Sequence, residues 1–175
     1  MKSHCRSDTN FHNHIAAILD RFEWFVVGTL TLPETSPPNT NNDERTRELQ
    51  DHIERTFKAM ANALAKFAGM DAEDLVYFLN SEFEPDKGLH HVHFLIGRHG
   101  LERLTGWQAC EYLKYLADDI DYPLTAAPCQ VEVDPVGYVT RKVFELCGDG
   151  CLTSLPLEFR FSNGFTKQLR VQPAV

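Results

Sequence analysis

A chain of 175 residues, with 43% hydrophobic and 24% charged residues, has the length and composition of one soluble globular domain with a real core. No apolar run reaches membrane-spanning length, the polar start MKSHCRSDTNFHNH lacks the apolar centre of a secretory signal, and five cysteines suggest no disulfide framework. The expected setting is therefore a reducing, cytoplasmic interior. A net charge of −8 counts against a broadly basic, nucleic-acid-binding face, so a nucleic-acid partner requires segregated charge.

In chain order, Phe11 to Glu23 reads as a short amphipathic helix with Ile15, Ile18, Leu19 and Phe22 on one side. Its His12-Asn13-His14 pair is no ligand set, because helical residues two apart do not face each other. Trp24 to Leu32 is rich in β-branched and aromatic residues without clean alternation, which predicts a central strand covered on both faces. Pro33 to Asn42 reads as an exposed loop. From Asp43 to about Ala68, Leu49, Ile53, Phe57, Met60, Leu64 and Phe67 recur at helical spacing, and Gly69 ends the helix.

Val76 to Gly97 follows, two apolar runs around Pro85-Asp86-Lys87-Gly88, which reads as a β-hairpin. Alternation puts His91 and His93 on one strand face, and Glu82 and Glu84 on one face of the partner strand. If these faces coincide, two imidazoles and one carboxylate converge. Such neutral-nitrogen and hard-oxygen ligands suit Mn²⁺ or Mg²⁺. Strand parity does not separate Glu82 from Glu84. The plain alternative is a strand that happens to carry two histidines.

Thr105 or Gly106 opens a helix to roughly Asp119, with Trp107, Cys110, Leu113 and Leu116 inward. Tyr122-Pro123 and Ala127-Pro128 read as breaks before a strand at Val131 to Val133. Asp134 and Pro135 then suit the cap and first position of another helix, on which Tyr138 and Lys142 stack one turn apart. Cys147 and Cys151 have no second pair with which to complete a zinc site. Leu157 to Ser162 is a strand candidate, with Asn163-Gly164 as a turn and Phe165 to Val171 as its possible partner. The fold class expected is α+β, with a mainly antiparallel central sheet flanked by helices. One domain spans 1–175, with a core at about 22–146 and a C-terminal extension at about 147–175.

Three motifs occur together: Phe25-Val-Val-Gly-Thr-Leu-Thr-Leu32, the His91-Val92-His93 strand, and Tyr138 with Lys142. In this order they resemble the HUH endonuclease superfamily, specifically the single-tyrosine initiators (Rep proteins) of rolling-circle replication in plasmids and viruses. The resemblance spans Phe25 to Lys142. It implies an RRM-like sheet with the two motif strands adjacent, and an activity that nicks and rejoins single-stranded or hairpin origin DNA. His91, His93 and Glu82, with Glu84 as second choice, would ligate Mn²⁺ or Mg²⁺. Tyr138 would be the nucleophile, forming a 5′-phosphotyrosine link. Lys142 would stabilise phenolate or phosphate; the family often has this lysine three residues after the tyrosine, where Arg141 stands here. Arg141, Lys87, Thr29 and Thr31 are the expected DNA contacts.

A host helicase and polymerase would be partners, since no helicase segment follows Val175. Acidic residues gather in the Asp43 helix and around Asp118 to Asp121. Basic ones (Lys87, Arg98, Arg103, Arg141, Lys142, Arg160, Lys167 and Arg170) are expected near the site and in the tail. Rival readings are a single-tyrosine transposase, a relaxase, a non-covalent metal-dependent nuclease with Tyr138 structural, and a metal-binding module without catalysis.

Overall fold

The structure, a computed structural model, describes residues 17–32, 43–84, 89–129, 136 and 159–161. It is an α+β fold built on one antiparallel sheet. The strands are β1 (Trp24–Thr31), β2 (Tyr77–Glu84), β3 (Leu89–Gly97), β4 (Leu124–Pro128) and β5 (Phe159–Phe161), in the order β4-β1-β3-β2-β5. Helices α1 (Asp43–Ala68) and α2 (Gly106–Asp119) lie on one face, and a 3-10 turn covers Ala72–Asp74. Among the described residues no helix is long and apolar enough to cross a membrane.

Two buried clusters occupy the two sheet faces. The larger joins Ile53, Phe57 and Leu64 of α1 and Cys110 and Leu113 of α2 to Leu30, Leu79, Val92, Phe94 and Ile96. The ring of Phe57 anchors it, 4.6 Å from that of Phe94 and 5.7 Å from that of Tyr77. The second cluster, on the opposite face, gathers Leu19, Phe22, Trp24, Val27, Val76, Phe78, Leu95 and Val136. Residues 17–19 are helical, and the indole Nε1 of Trp24 donates to the Leu19 carbonyl at 2.9 Å. β1 and β3 thus bury both faces, as the unbroken apolar run of β1 predicts.

A register irregularity between Trp24 and Val26 marks a bulge in β1. It lets the consecutive residues Phe25 and Val26 both join the larger cluster, while Trp24 and Val27 serve the other. Beyond the bulge, Gly28 is the point of closest approach. A Cβ there would collide with the Phe94 ring and the Thr125 carbonyl, so only glycine lets that ring cross the strand.

α1 has the bounds its apolar spacing predicts, and Gly69 ends it at φ 77°. α2 starts with a capping box, the Thr105 hydroxyl accepting from the Gln108 N–H while the Gln108 side chain accepts from Thr105 N–H. Two expected core residues are outside. Trp107 is 60% exposed because Gly106, packed against Pro128, is the first-turn residue in phase with Ala109, Cys110, Leu113 and Ala117. Phe67 is 54% exposed, stacked on Tyr112 at 4.3 Å, and Ala65 and Ala68 hold the inward positions.

The segment read as a break after α2 is instead strand β4. Asp121, at φ 58°, turns the chain, and Leu124 to Pro128 then pairs with β1. Pro128 is tolerated because β4 is at the edge of the sheet among the described residues, where its missing N–H disrupts no inner ladder. The strand expected at 131–133 lies outside the described residues, as do the 33–42 loop, the 85–88 turn, the His12 and His14 pair, Cys147, Cys151 and the 165–171 segment. Within the Leu157 to Ser162 candidate, residues Phe159–Phe161 form β5, hydrogen-bonded to β2.

Candidate functional site

The hairpin aligns Tyr77 with Ile96, Asn80 with His93, Glu82 with His91 and Glu84 with Leu89. On the other side of β3, Thr29 is opposite His93 and Thr31 opposite His91. Residues directly opposite share a sheet face. His91, His93, Asn80, Glu82, Thr29 and Thr31 therefore occupy one neighbourhood, and it lies on the face of the second cluster. The apolar side chains of Phe78, Leu95 and Val27 continue the same face away from the hairpin turn.

His93 is 5% exposed and Asn80 is 1% exposed; His91 is half-buried. The Thr29 hydroxyl lies 2.8 Å from Nδ1 of His93, and the Thr31 hydroxyl 2.9 Å from Nδ1 of His91. The two rings stand in parallel, with centroids 6.2 Å apart and planes at 27°. Asn80 Oδ1 is buried and accepts no hydrogen bond from any described residue.

His90, between Leu89 and His91, is absent from this group because adjacent strand residues point to opposite faces. It is 4% exposed, and its carbonyl accepts from Leu32 N–H at 2.9 Å. Burial, with a smaller contribution from the adjacent His91, pushes its imidazole down to about 4. It is a neutral core histidine at ordinary pH.

The donor set fits a divalent cation in part. Both rings meet a hydroxyl at Nδ1, which leaves Nε2 as the nitrogen facing away from β1. One ion held at about 2.1 Å by two imidazole nitrogens at a right angle would set their centroids about 4.5 Å apart. At 6.2 Å the pair is wider than that, so ligation would draw the rings together. Among the described residues no three His, Cys, Asp or Glu side chains are grouped to hold an ion. The third ligand expected from the sequence, Glu82, is located by its register position opposite His91.

Tyr138, Lys142, Arg141 and Lys87 lie outside the described residues. Val136, two residues before Tyr138, is helical and buried in the second cluster. Thr29 and Thr31, expected as DNA contacts, turn their hydroxyls to the imidazoles. Asn80 was missed in the sequence; its position two residues before Glu82, on the same strand parity, was the available signal.

Of the described basic residues expected near the site or in the tail, Arg160 stands on β5 opposite Leu79, next to Asn80 in register, whereas Arg98 and Arg103 are elsewhere. Arg98 follows the far end of β3, seven residues and about 23 Å of strand from His91. There it pairs with Glu23 at 3.5 Å and stacks on the Phe25 ring at 5.0 Å. Arg103 approaches Gly69 at the end of α1. A cleft lined by Arg21, Glu23, Arg98, His99 and Glu102 sits at that remote end, its charges of both signs.

Compared with known proteins, the chain matches no family profile, no curated protein and no solved structure.

Proposed function

We propose that this protein is a metal-dependent endonuclease and strand transferase of the HUH single-tyrosine type, which nicks and rejoins single-stranded or hairpin origin DNA to initiate rolling-circle replication. The observation that carries this reading is the imidazole pair on the central strand. His91 and His93 share a face, both are held at Nδ1 from β1, and Glu82 stands opposite His91 in the ladder. The burial of Val136 on that same sheet face supports a helix-borne Tyr138 approaching the pair.

His91, His93 and Glu82 would hold Mn²⁺ or Mg²⁺, which lends positive charge to the scissile phosphate when bound. The imidazoles must be neutral to serve as ligands. Tyr138 Oη forms a bond to phosphorus as the phosphorus–O3′ bond breaks. The 5′-phosphate stays on the tyrosine, and the phenolic proton ends on the released 3′-oxygen. Phenol ionises near a pKa of about 10, so it requires a neighbouring positive charge to act at neutral pH. Lys142, one helical turn on, supplies that charge, with Arg141 as the alternative. The retained ester keeps the bond energy, so the strand can be resealed by attack of a 3′-hydroxyl.

Labelled single-stranded and hairpin oligonucleotides incubated with the protein and Mn²⁺ test this reading. The expected result is a denaturant-stable protein–DNA adduct that is absent in Tyr138→Phe and absent after chelation. Cleavage without an adduct would assign the site to a non-covalent nuclease. No cleavage of any substrate would leave the histidines as a binding site and end the proposal.

A further inference from the structure

We infer that Asn80 is a ligand of the divalent cation, its side-chain oxygen adding a neutral donor to the set of His91, His93 and Glu82. The inference rests on the reading of that set as a metal site, and it names a residue that none of the sequence motifs contains.

Its support is a buried acceptor that no described residue uses. Asn80 is buried, and its Oδ1 lies out of reach of solvent without a hydrogen bond among the described residues. Such an oxygen has lost its water and found no donor, whereas buried polar groups in folded chains are as a rule paired. An asparagine that serves only the core ties its amide to a neighbouring backbone or side chain. Phe78, two residues back on the same face, is fully buried in the second cluster, so an apolar side chain at position 80 would simply continue that cluster.

Position gives this oxygen a use. Asn80 stands between His93 of β3 and Phe159 of β5 in the ladder, so β2 is paired on both sides there. Residues directly opposite share a face, and strand alternation adds Glu82 to that of Asn80 and His93. Two nitrogen-bearing residues two apart on β3 thus stand opposite two oxygen-bearing residues two apart on β2. An amide oxygen is a hard donor of the kind that Mn²⁺ and Mg²⁺ take. The carboxamide can turn end for end, and a cation selects its oxygen. The choice of an amide also has a consequence for charge. One carboxylate cancels half the charge of a divalent cation, and a neutral amide cancels none. The loaded set therefore keeps positive charge for a phosphate oxygen, which a second carboxylate would remove.

Calorimetric titration with Mn²⁺ and urea unfolding of two variants test this. Asn80→Leu, close in size and apolar, should bind Mn²⁺ about tenfold or more weakly, while its metal-free form unfolds at a higher urea concentration than the unsubstituted protein, because no unpaired amide is buried. Asn80→Asp, which keeps an oxygen and adds charge, should bind Mn²⁺ at least as tightly as the unsubstituted protein. In the ¹⁵N-labelled unsubstituted protein, Mg²⁺ should shift the Asn80 side-chain amide resonances with the same midpoint as the His91 and His93 ring resonances. An Asn80 amide that does not respond to Mg²⁺ would overturn the inference even if neither variant folds. So would unaltered Mn²⁺ affinity in Asn80→Leu, or an equal loss in Asn80→Leu and Asn80→Asp. Mn²⁺ binding that depends on Asn80 in a protein that forms no DNA adduct would end the nuclease reading and leave this inference standing. A Tyr138-dependent adduct from a protein whose Asn80 amide ignores Mg²⁺ would do the reverse.

Discussion

Glu82 stands opposite His91 in the β2–β3 ladder, whereas Glu84 stands opposite Leu89. In register Glu82 is thus directly opposite His91 and diagonal to His93, and Glu84 is diagonal to His91 only. Parity alone makes the two carboxylates equivalent; register separates them. Glu82→Gln should weaken Mn²⁺ binding by about tenfold or more, and Glu84→Gln by less than about threefold, on the scale of ligand-set changes. Calorimetric titration of the two variants decides it, and equal losses would refute the assignment.

Gly28 admits the Phe94 ring across the most buried part of the sheet. Gly28→Ala should destabilise the fold by about 2–3 kcal/mol, the usual cost of overpacking a tight core. Because the second obstruction is the Thr125 carbonyl, which is backbone, adding Phe94→Leu should recover only part of the loss. Urea unfolding of the single and double variants gives both numbers. Full recovery would show that the ring alone is the constraint.

His90 introduces a pH dependence of stability whose sign is fixed by its burial. Its imidazole is lowered from 6.5 to about 4 in the folded chain. Between those values the unfolded chain binds a proton that the folded chain does not. Stability is therefore complete above about 6.5 and falls as pH drops toward 4, by about 3 kcal/mol in all. His90→Leu should flatten that part of the curve. Between pH 7 and 4 the difference in unfolding free energy between the two proteins should move by about 3 kcal/mol in favour of the variant, and a constant difference would refute it.

Cys110 and Cys129 should be inert in the native state. Burial raises the Cys110 thiol to about 11, the nearby Lys114 only partly offsetting it, and raises Cys129 to about 12, with Cys110 adding to the effect. The thiolate is the reactive form, so little is present at pH 8. Iodoacetamide treatment followed by peptide mapping should leave both residues unmodified in the folded protein and alkylate both in urea. Rapid native labelling of either would contradict its burial.

Much of this architecture is written in local pattern. The apolar spacing from Leu49 to Leu64, the capping box at Thr105 and the glycine after Ala68 specify two helices with nearly their observed bounds. The alternation on either side of residues 85–88 specifies a hairpin that carries His91 and His93 on one face. These are short-range effects of hydrogen-bonding geometry and amphipathic periodicity, which a linear chain displays directly. Strand β4 escaped that reading because five residues bounded by prolines carry no period of their own; pairing with β1 makes them a strand. Trp107 and Phe67 show the limit of spacing, since a shift of one residue in helical phase moved both outside. The position of Glu82 opposite His91, the bulge at Phe25 and the threonine–imidazole pairs depend on which strands become neighbours. Thr29 and His93 are 64 residues apart in sequence. Only packing both sheet faces at once brings such residues together, because strand order and register are set by which side chains fill the two cores and not by any property of one segment.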